Sequence, residues 1–184
     1  MEADVYYPKA YDMIYRSGYV AGFLGILLFA FSYIFSDRPV FFLGISIFFL
    51  GSLISGIFLL VWRKEIKIFI LSCIVLGIIL GISYILFFKN PELSIISMGF
   101  VLAGLAGLYG KEAHCFHFKE GWILMWSFPF LVFANLLIYG LRLQNNGSVH
   151  TIFSIIYIIV MLLALSFLIK KLRQPLMQFC QNQD

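Results

Sequence analysis

The stretch that decides the fold class is IKIFILSCIVLGIILGISYILFF, residues 66–88, in which Lys67 is the only charged residue. A helix of about 20 largely apolar residues crosses the hydrocarbon core of a bilayer. The run at residues 68–72 does not alternate between apolar and polar side chains, as the strands of a membrane barrel do. The stretch therefore predicts a transmembrane helix, which satisfies its own backbone hydrogen bonds in lipid.

Five further segments have the same character. The predicted spans are Gly18–Ser36, Val40–Trp62, Ile66–Phe88, Leu93–Tyr109, Trp122–Leu141 and Thr151–Ile169. Their connections are short, which makes neighbouring helices antiparallel and leaves no room for a second domain. We predict an all-α polytopic membrane protein, with one six-helix domain over residues 1–184. Residues 1–17 are its interfacial segment and residues 170–184 its basic tail.

The composition supports this class. The chain is 62% hydrophobic and 12% charged, whereas soluble domains are about 45–50% apolar and about 25% charged. This balance excludes a disordered tail, a disulfide scaffold and a soluble nucleic-acid binder. The lipid bilayer is the predicted partner, and no nucleic-acid partner is expected.

The placement of the charges predicts the orientation. Three basic residues, Arg38, Lys89 and Arg142, lie on one side of the predicted spans. Ten lie on the side of both termini: Lys9, Arg16, Arg63, Lys64, Lys67, Lys111, Lys119, Lys170, Lys171 and Arg173. Lys and Arg accumulate in cytoplasmic loops, so both termini are predicted to be cytoplasmic. The cysteines fall on or near that reducing side, which predicts no structural disulfide.

Two side-chain patterns indicate how the helices pack. Tyr7, Tyr11, Tyr15 and Tyr19 recur at every fourth position and share one helical face. We interpret them as an interfacial stripe at headgroup depth, with a docking helix for a partner as the alternative. Pairs of small residues such as Gly18/Gly22 and Gly77/Gly81 predict close approach of helices.

The most polar segment is Gly110–Gly121, between the fourth and fifth spans. We predict that it is helical. Its charged residues are expected to face water or headgroups, and its phenylalanines to face lipid. The charged residues are Lys111, Glu112, Lys119 and Glu120, and the phenylalanines are Phe116 and Phe118.

The histidines of this segment suggest a cofactor site. On a helix, His114 and His117 share a face at positions i and i+3. Such a pair can ligate haem iron, a chlorophyll magnesium or a transition metal. A structural zinc site needs four ligands, and His150 lies on the other side of the predicted membrane, so no complete metal site is predicted. Cys115 and His114 are adjacent and do not face each other, which disfavours a nucleophilic cysteine.

The fifth span contains Pro129, which removes a backbone hydrogen bond and predicts a kink. Asn135 follows it. An asparagine in lipid usually bonds across helices, so we predict an interhelical contact, with the wall of a polar-lined cavity as the alternative.

The pairs Lys111-Glu112 and Cys115-Phe116 follow a glycine-rich helix, and Tyr15-Arg16 precedes the first span. This combination resembles a prokaryotic family of integral membrane proteins that is common in cyanobacteria and known only as a domain of unknown function. The resemblance implies a bacterial plasma membrane, or a thylakoid membrane in a cyanobacterium. It carries no activity with it, and it makes Glu112 and Cys115 the positions to test.

The predicted spans contain no acidic residue, which argues against ion-coupled transport and intramembrane hydrolysis. We predict a non-enzymatic scaffold, assembly or partner-binding protein that contacts other membrane proteins or further copies of itself. Its binding rim would combine the tyrosine stripe, residues 110–121 and the basic tail. One alternative is a haem-, chlorophyll- or metal-binding protein that uses His114 and His117. Another is a facilitator for a small neutral solute near Pro129 and Asn135.

Overall fold

The computed structural model describes residues 9–35, 37–60, 64–88, 91–143 and 147–176. The six helices in this part are α1 Lys9–Phe35, α2 Arg38–Ile57, α3 Lys64–Ser83, α4 Pro91–Phe116, α5 Lys119–Gly140 and α6 Gly147–Arg173. A π-helical turn, Tyr84–Phe88, continues α3. Each of the six is long and apolar enough to cross a membrane, so the predicted all-α architecture is confirmed.

Three helices extend furthest beyond their predicted spans at one end of the bundle. Helix α1 begins at Lys9, α4 continues to Phe116, and α6 continues to Arg173. These extensions contain lysine and glutamate, which favour helices, and their charged side chains bond to one another. Much of the predicted interfacial segment and the start of the predicted tail are therefore helical. Tyr7 and Cys180 lie outside the described residues.

The chain forms successive hairpins, and the bundle closes where α6 packs against α1. The most extensive contacts are those between α1 and α2 and between α3 and α4. The turn before α2 shows how one connection is set. The Asp37 carboxylate accepts a hydrogen bond from the Val40 backbone N–H at 3.3 Å, and Pro39 lies in the first helical turn. An N-cap and an early proline are typical helix starts.

Small residues bring two helix pairs into close contact. A Cβ atom on Gly51 of α2 would collide with the backbone nitrogen of Gly22 and lie 2.7 Å from the Gly18 carbonyl oxygen of α1. On α3, a Cβ atom on Gly77 would lie 2.7 Å from the Ser97 carbonyl oxygen. Close contact through small residues occurs as predicted, because these positions have no side chain to separate the backbones.

A layer of aromatic rings fills the middle of the bundle. Its members come from α1, α4, α5 and α6, and they are Tyr19, Tyr109, Phe128 and Phe167. The Tyr109 ring centroid lies 4.5 Å from that of Phe167 and 5.5 Å from that of Phe128. These spacings suit edge-to-face contacts. This aromatic layer separates a group of charges at one end from a cavity at the other.

Candidate functional site

A buried carboxylate joins three helices where the ends of α1, α4 and α6 meet. The Glu112 side chain is completely buried. Its Oε1 atom accepts hydrogen bonds from the Tyr15 hydroxyl at 2.7 Å and from Lys111 Nζ at 2.9 Å. Its Oε2 atom accepts one from Lys171 Nζ at 2.6 Å. We call Tyr15, Lys111, Glu112 and Lys171 the Glu112 cluster.

The cluster contains two ammonium groups for one carboxylate, and aromatic rings accommodate the additional positive charge. The Lys171 ammonium lies 5.3 Å from the Tyr15 ring centroid and 4.9 Å from that of Phe116. The Lys111 ammonium lies 5.6 and 5.4 Å from the same two rings. Cations at such distances are attracted to the ring faces. Lys171 also occupies the last turn of α6, where the helix dipole favours a cation.

Next to the cluster, Arg16 of α1 holds the C-terminal end of α6. Its Nε and Nη2 atoms donate to the two carboxylate oxygens of Asp12 at 3.1 and 3.0 Å. Its Nη1 atom donates to the carbonyl oxygens of Lys171 and Gln174, and Nη2 donates to that of Pro175. The last carbonyl groups of a helix have no partner within it. Arg16 therefore caps α6 from another helix.

A more exposed ion pair connects α5 to α6. Glu120 accepts hydrogen bonds from Lys170 Nζ and, at 3.2 Å, from the Ser166 hydroxyl. The Lys170 side chain is 49% exposed, whereas the side chain of Lys171 is 4% exposed. The two neighbouring lysines thus make one peripheral and one internal ion pair.

The cavity on the other side of the aromatic layer has a volume of about 290 Å³. Its walls come from α1, α2, α4, α5 and α6. Asn135 lines this cavity, and its Nδ2 atom donates to the Leu131 carbonyl oxygen at 2.8 Å and to the Tyr157 hydroxyl at 3.5 Å. Asn135 of α5 thus lies beside Tyr157 of α6 in a cavity whose lining is mostly apolar, unlike the polar-lined cavity of the alternative prediction. Pro129 lies inside α5 next to Phe128, which also lines the cavity.

Residues 53–178 match a family model whose description is uncharacterized integral membrane protein, DUF2301. The chain belongs to the DUF2301 family. The family and the six apolar helices together show an integral membrane protein. The predicted resemblance is therefore confirmed, and the matched region includes the Lys111-Glu112 and Cys115-Phe116 pairs. No curated protein and no solved structure matches the chain.

In this DUF2301 protein, several side chains predicted to lie at the membrane surface are internal. Glu112 is buried, and the Lys111 side chain is only 9% exposed. Tyr15 and Tyr19 are buried too, so neither an interfacial stripe nor a docking face describes them. Phe118 packs against the core instead of facing lipid. The predicted positions were wrong because many of the groups that these side chains contact lie on helices that are distant in sequence but adjacent in the fold.

The premise of the histidine site is also wrong. Helix α4 ends at Phe116, and His117 has a positive φ of 56°. His114 and His117 therefore do not share the face of one helix, and both are exposed. Among the described residues of this DUF2301 protein, no group of three or more His, Cys, Asp or Glu side chains has a metal-binding arrangement.

The cysteines require one further correction. Cys115 is disulfide-bonded, whereas Cys73 is free and buried. The prediction of no disulfide considered only the redox compartment. Disulfide formation also depends on the distance between the two sulfur atoms in the folded chain.

Proposed function

We propose that this DUF2301 protein is a non-enzymatic scaffold that assembles with another integral membrane protein or with a second copy of itself. The supporting observation is the closed pairing within the Glu112 cluster. Both carboxylate oxygens accept hydrogen bonds from internal donors, and the side chain is not exposed. A general acid or base must reach a substrate proton. Glu112 instead holds α1, α4 and α6 together.

The partner surface proposed from the structure is the outer face of α5, because much of the rim predicted from sequence is internal. Trp122, Trp126 and Phe130 recur at every fourth residue and are 44%, 69% and 59% exposed. With Ile123 and Ser127 they line a shallow cleft. Tryptophan is enriched among the residues that contribute most to protein–protein binding.

The distance that this cleft extends along α5 into the membrane distinguishes it from an aromatic belt at the membrane surface. Trp122 is near the start of α5, where tryptophan is common at the headgroup level. Trp126 and Phe130 lie about 6 and 12 Å further along the helix, given its rise of about 1.5 Å per residue. The cleft therefore continues into the bilayer, where a transmembrane helix of another protein or of a second copy is its proposed occupant.

Site-specific photocrosslinking tests this surface. A benzophenone amino acid at position 126 is expected to form a discrete protein adduct in native membranes. The matched control is the same amino acid at position 69, because Phe69 of α3 is 64% exposed at a comparable distance from the same bundle end. Only lipid adducts are expected from position 69. The adduct mass distinguishes a second copy from another protein, and equal protein adducts at both positions would contradict the proposal.

We further propose that the chain lies in a bacterial plasma membrane, or in a thylakoid membrane if the source is a cyanobacterium. The bundle end with the Glu112 cluster would face the cytoplasm. The support is the distribution of Lys and Arg, ten on the side of the predicted membrane that holds both termini and three on the other side. The disulfide of Cys115 at this end points the other way, because disulfides persist mainly in oxidising compartments. An orientation experiment therefore decides between the two signals.

Reporter fusions test the orientation. Green fluorescent protein after residue 184 is expected to be fluorescent, and alkaline phosphatase after residue 184 to be inactive, since the phosphatase needs an oxidising compartment for its disulfides. Phosphatase inserted after Leu143, between α5 and α6, is expected to be active. The reverse pattern of activities would contradict cytoplasmic termini.

The alternatives differ in their structural support. The haem, chlorophyll or metal hypothesis depended on a shared face for His114 and His117, which the break after Phe116 removes. The solute hypothesis depended on a cavity beside Asn135, and such a cavity exists. Phe128 lines that cavity and also belongs to the aromatic layer. The cavity thus ends on packed rings at that point, an arrangement that favours binding over passage.

A further inference from the structure

The cavity beside Asn135 has the composition of a site for a ring-shaped molecule. Six of its lining side chains are aromatic, and they are Phe29, Tyr33, Phe41, Phe48, Phe128 and Tyr157. Most of the others are aliphatic. Aromatic rings prefer edge-to-face or offset contacts with other rings. These walls therefore favour a flat apolar body over a polar one.

The cavity also presents a pair of polar groups from two helices. Asn135 directs its amide nitrogen to the Leu131 carbonyl oxygen and the Tyr157 hydroxyl. Asn135 retains a carbonyl acceptor, and the Tyr157 hydroxyl retains a proton to donate. Among the described hydrogen bonds, neither capacity is used by another protein group. A ligand hydroxyl group matches this pair because it donates and accepts at once.

The size and charge of the cavity limit the ligand further. An engineered apolar cavity of about 150 Å³ holds benzene, and the present volume of about 290 Å³ suits a ring with a short substituent. The lining side chains include none with a formal charge. A charged ligand would lose its hydration without gaining a counter-ion, so the ligand class is neutral.

We propose that this cavity binds a neutral phenol-like molecule that reaches it from the bilayer. Its ring packs among the aromatic side chains of the cavity. Its hydroxyl group donates to Asn135 Oδ1 and accepts from the Tyr157 hydroxyl. This site is separate from the outer face of α5 proposed for a protein partner, because the two have no lining residue in common. A negative result for one proposal therefore leaves the other unaffected.

Binding of 4-propylphenol to the purified full chain in nanodiscs tests this inference, with propylbenzene as the matched probe without a hydroxyl. Saturation-transfer NMR is expected to show one saturable site for the phenol and binding about tenfold weaker for propylbenzene, the effect of one lost hydrogen-bonding group. Tyr157→Phe and Asn135→Leu are each expected to weaken phenol binding several-fold. Neither variant is expected to weaken propylbenzene binding to the same extent.

A control variant separates loss of the site from loss of the fold. Ile95 lines the cavity, and Ile95→Trp is expected to abolish binding of both probes by filling it. Thermal unfolding of each variant reports whether the bundle is intact. Equal affinities for the two probes, unchanged in Tyr157→Phe, would overturn the role of the polar pair. Non-saturable partitioning of both probes, unchanged in Ile95→Trp, would overturn the site.

Discussion

Replacement of Glu112 with alanine is expected to lower the free energy of unfolding by about 3–5 kcal/mol, the cost of breaking a buried ion pair from one side. The variant leaves the Lys171 ammonium, 4% exposed, without its carboxylate. It also removes one hydrogen bond of the Tyr15 hydroxyl, which keeps the Tyr19 hydroxyl as a partner at 2.9 Å. The Lys171 side chain is buried, so its unpaired ammonium loses a counter-ion without gaining full hydration.

The measurement is equilibrium unfolding of the purified protein in mild detergent, with Glu120→Ala as the matched control. Glu120 also pairs with a lysine of α6, but that lysine is half exposed. An exposed ion pair contributes about 0.2–1 kcal/mol, so this variant is expected to stay close to the native stability. Similar losses in the two variants would show that burial of the Glu112 cluster has no energetic consequence.

A double variant distinguishes an unpaired charge from lost packing. Glu112→Leu combined with Lys171→Leu removes both charges while retaining apolar volume. Replacement of a whole buried ion pair by apolar residues is often neutral, and Lys111 at the cluster margin can extend towards water. We expect the double variant to be more stable than Glu112→Ala. A further loss of stability would contradict the electrostatic explanation.

Gly51→Ala is expected to destabilise the bundle by about 1–3 kcal/mol, the usual cost of overpacking. The added methyl group would collide with the Gly22 backbone and lie 2.7 Å from the Gly18 carbonyl oxygen. Backbone atoms cannot rotate away as the end of a side chain can. The contact between α1 and α2, one of the most extensive in the bundle, would have to open.

Gly22→Ala is the matched control because it adds the same methyl group to the other helix of the same contact. A Cβ atom on Gly22 would meet nothing within 4 Å. Alanine favours a helix over glycine by about 1 kcal/mol, so this variant is expected to be neutral or slightly stabilised. Thermal unfolding in one detergent measures both variants. Equal effects would contradict the asymmetric contact.

The six helices could be predicted because the information for each is local. Residues 66–88 indicate a membrane-spanning helix without reference to any other part of the chain. The need of Asn135 for a hydrogen-bond partner is local information too, since an amide in an apolar span usually bonds across helices. The sequence does not predict that Gly51 is crowded and Gly22 is not. This difference depends on how α2 is rotated about its axis relative to α1.

The Glu112 cluster was not predicted because its members are far apart in sequence. Glu112 bonds to Lys171 and Tyr15 across 59 and 97 residues. One available signal was the predicted topology, which places Arg16, Lys111 and Lys171 on the same side of the membrane. The position of Glu112 just beyond a predicted span suggests exposure, although a carboxylate on the same side as three basic residues is equally suited to pair with them.

The capping of α6 by Arg16 has a consequence for biosynthesis. Arg16 and the Lys171 carbonyl group are separated by 155 residues, and α6 leaves the ribosome after the other five helices. Until then, Glu112 lacks one of its two lysines and Arg16 lacks the carbonyl groups it caps. The nascent protein therefore passes through a stage in which these charges need water, the insertion machinery or a chaperone. Insertion of α6 ends that stage. Exposed, unpaired charges at this end of the bundle would therefore distinguish an unfinished chain from a complete one for the quality-control machinery.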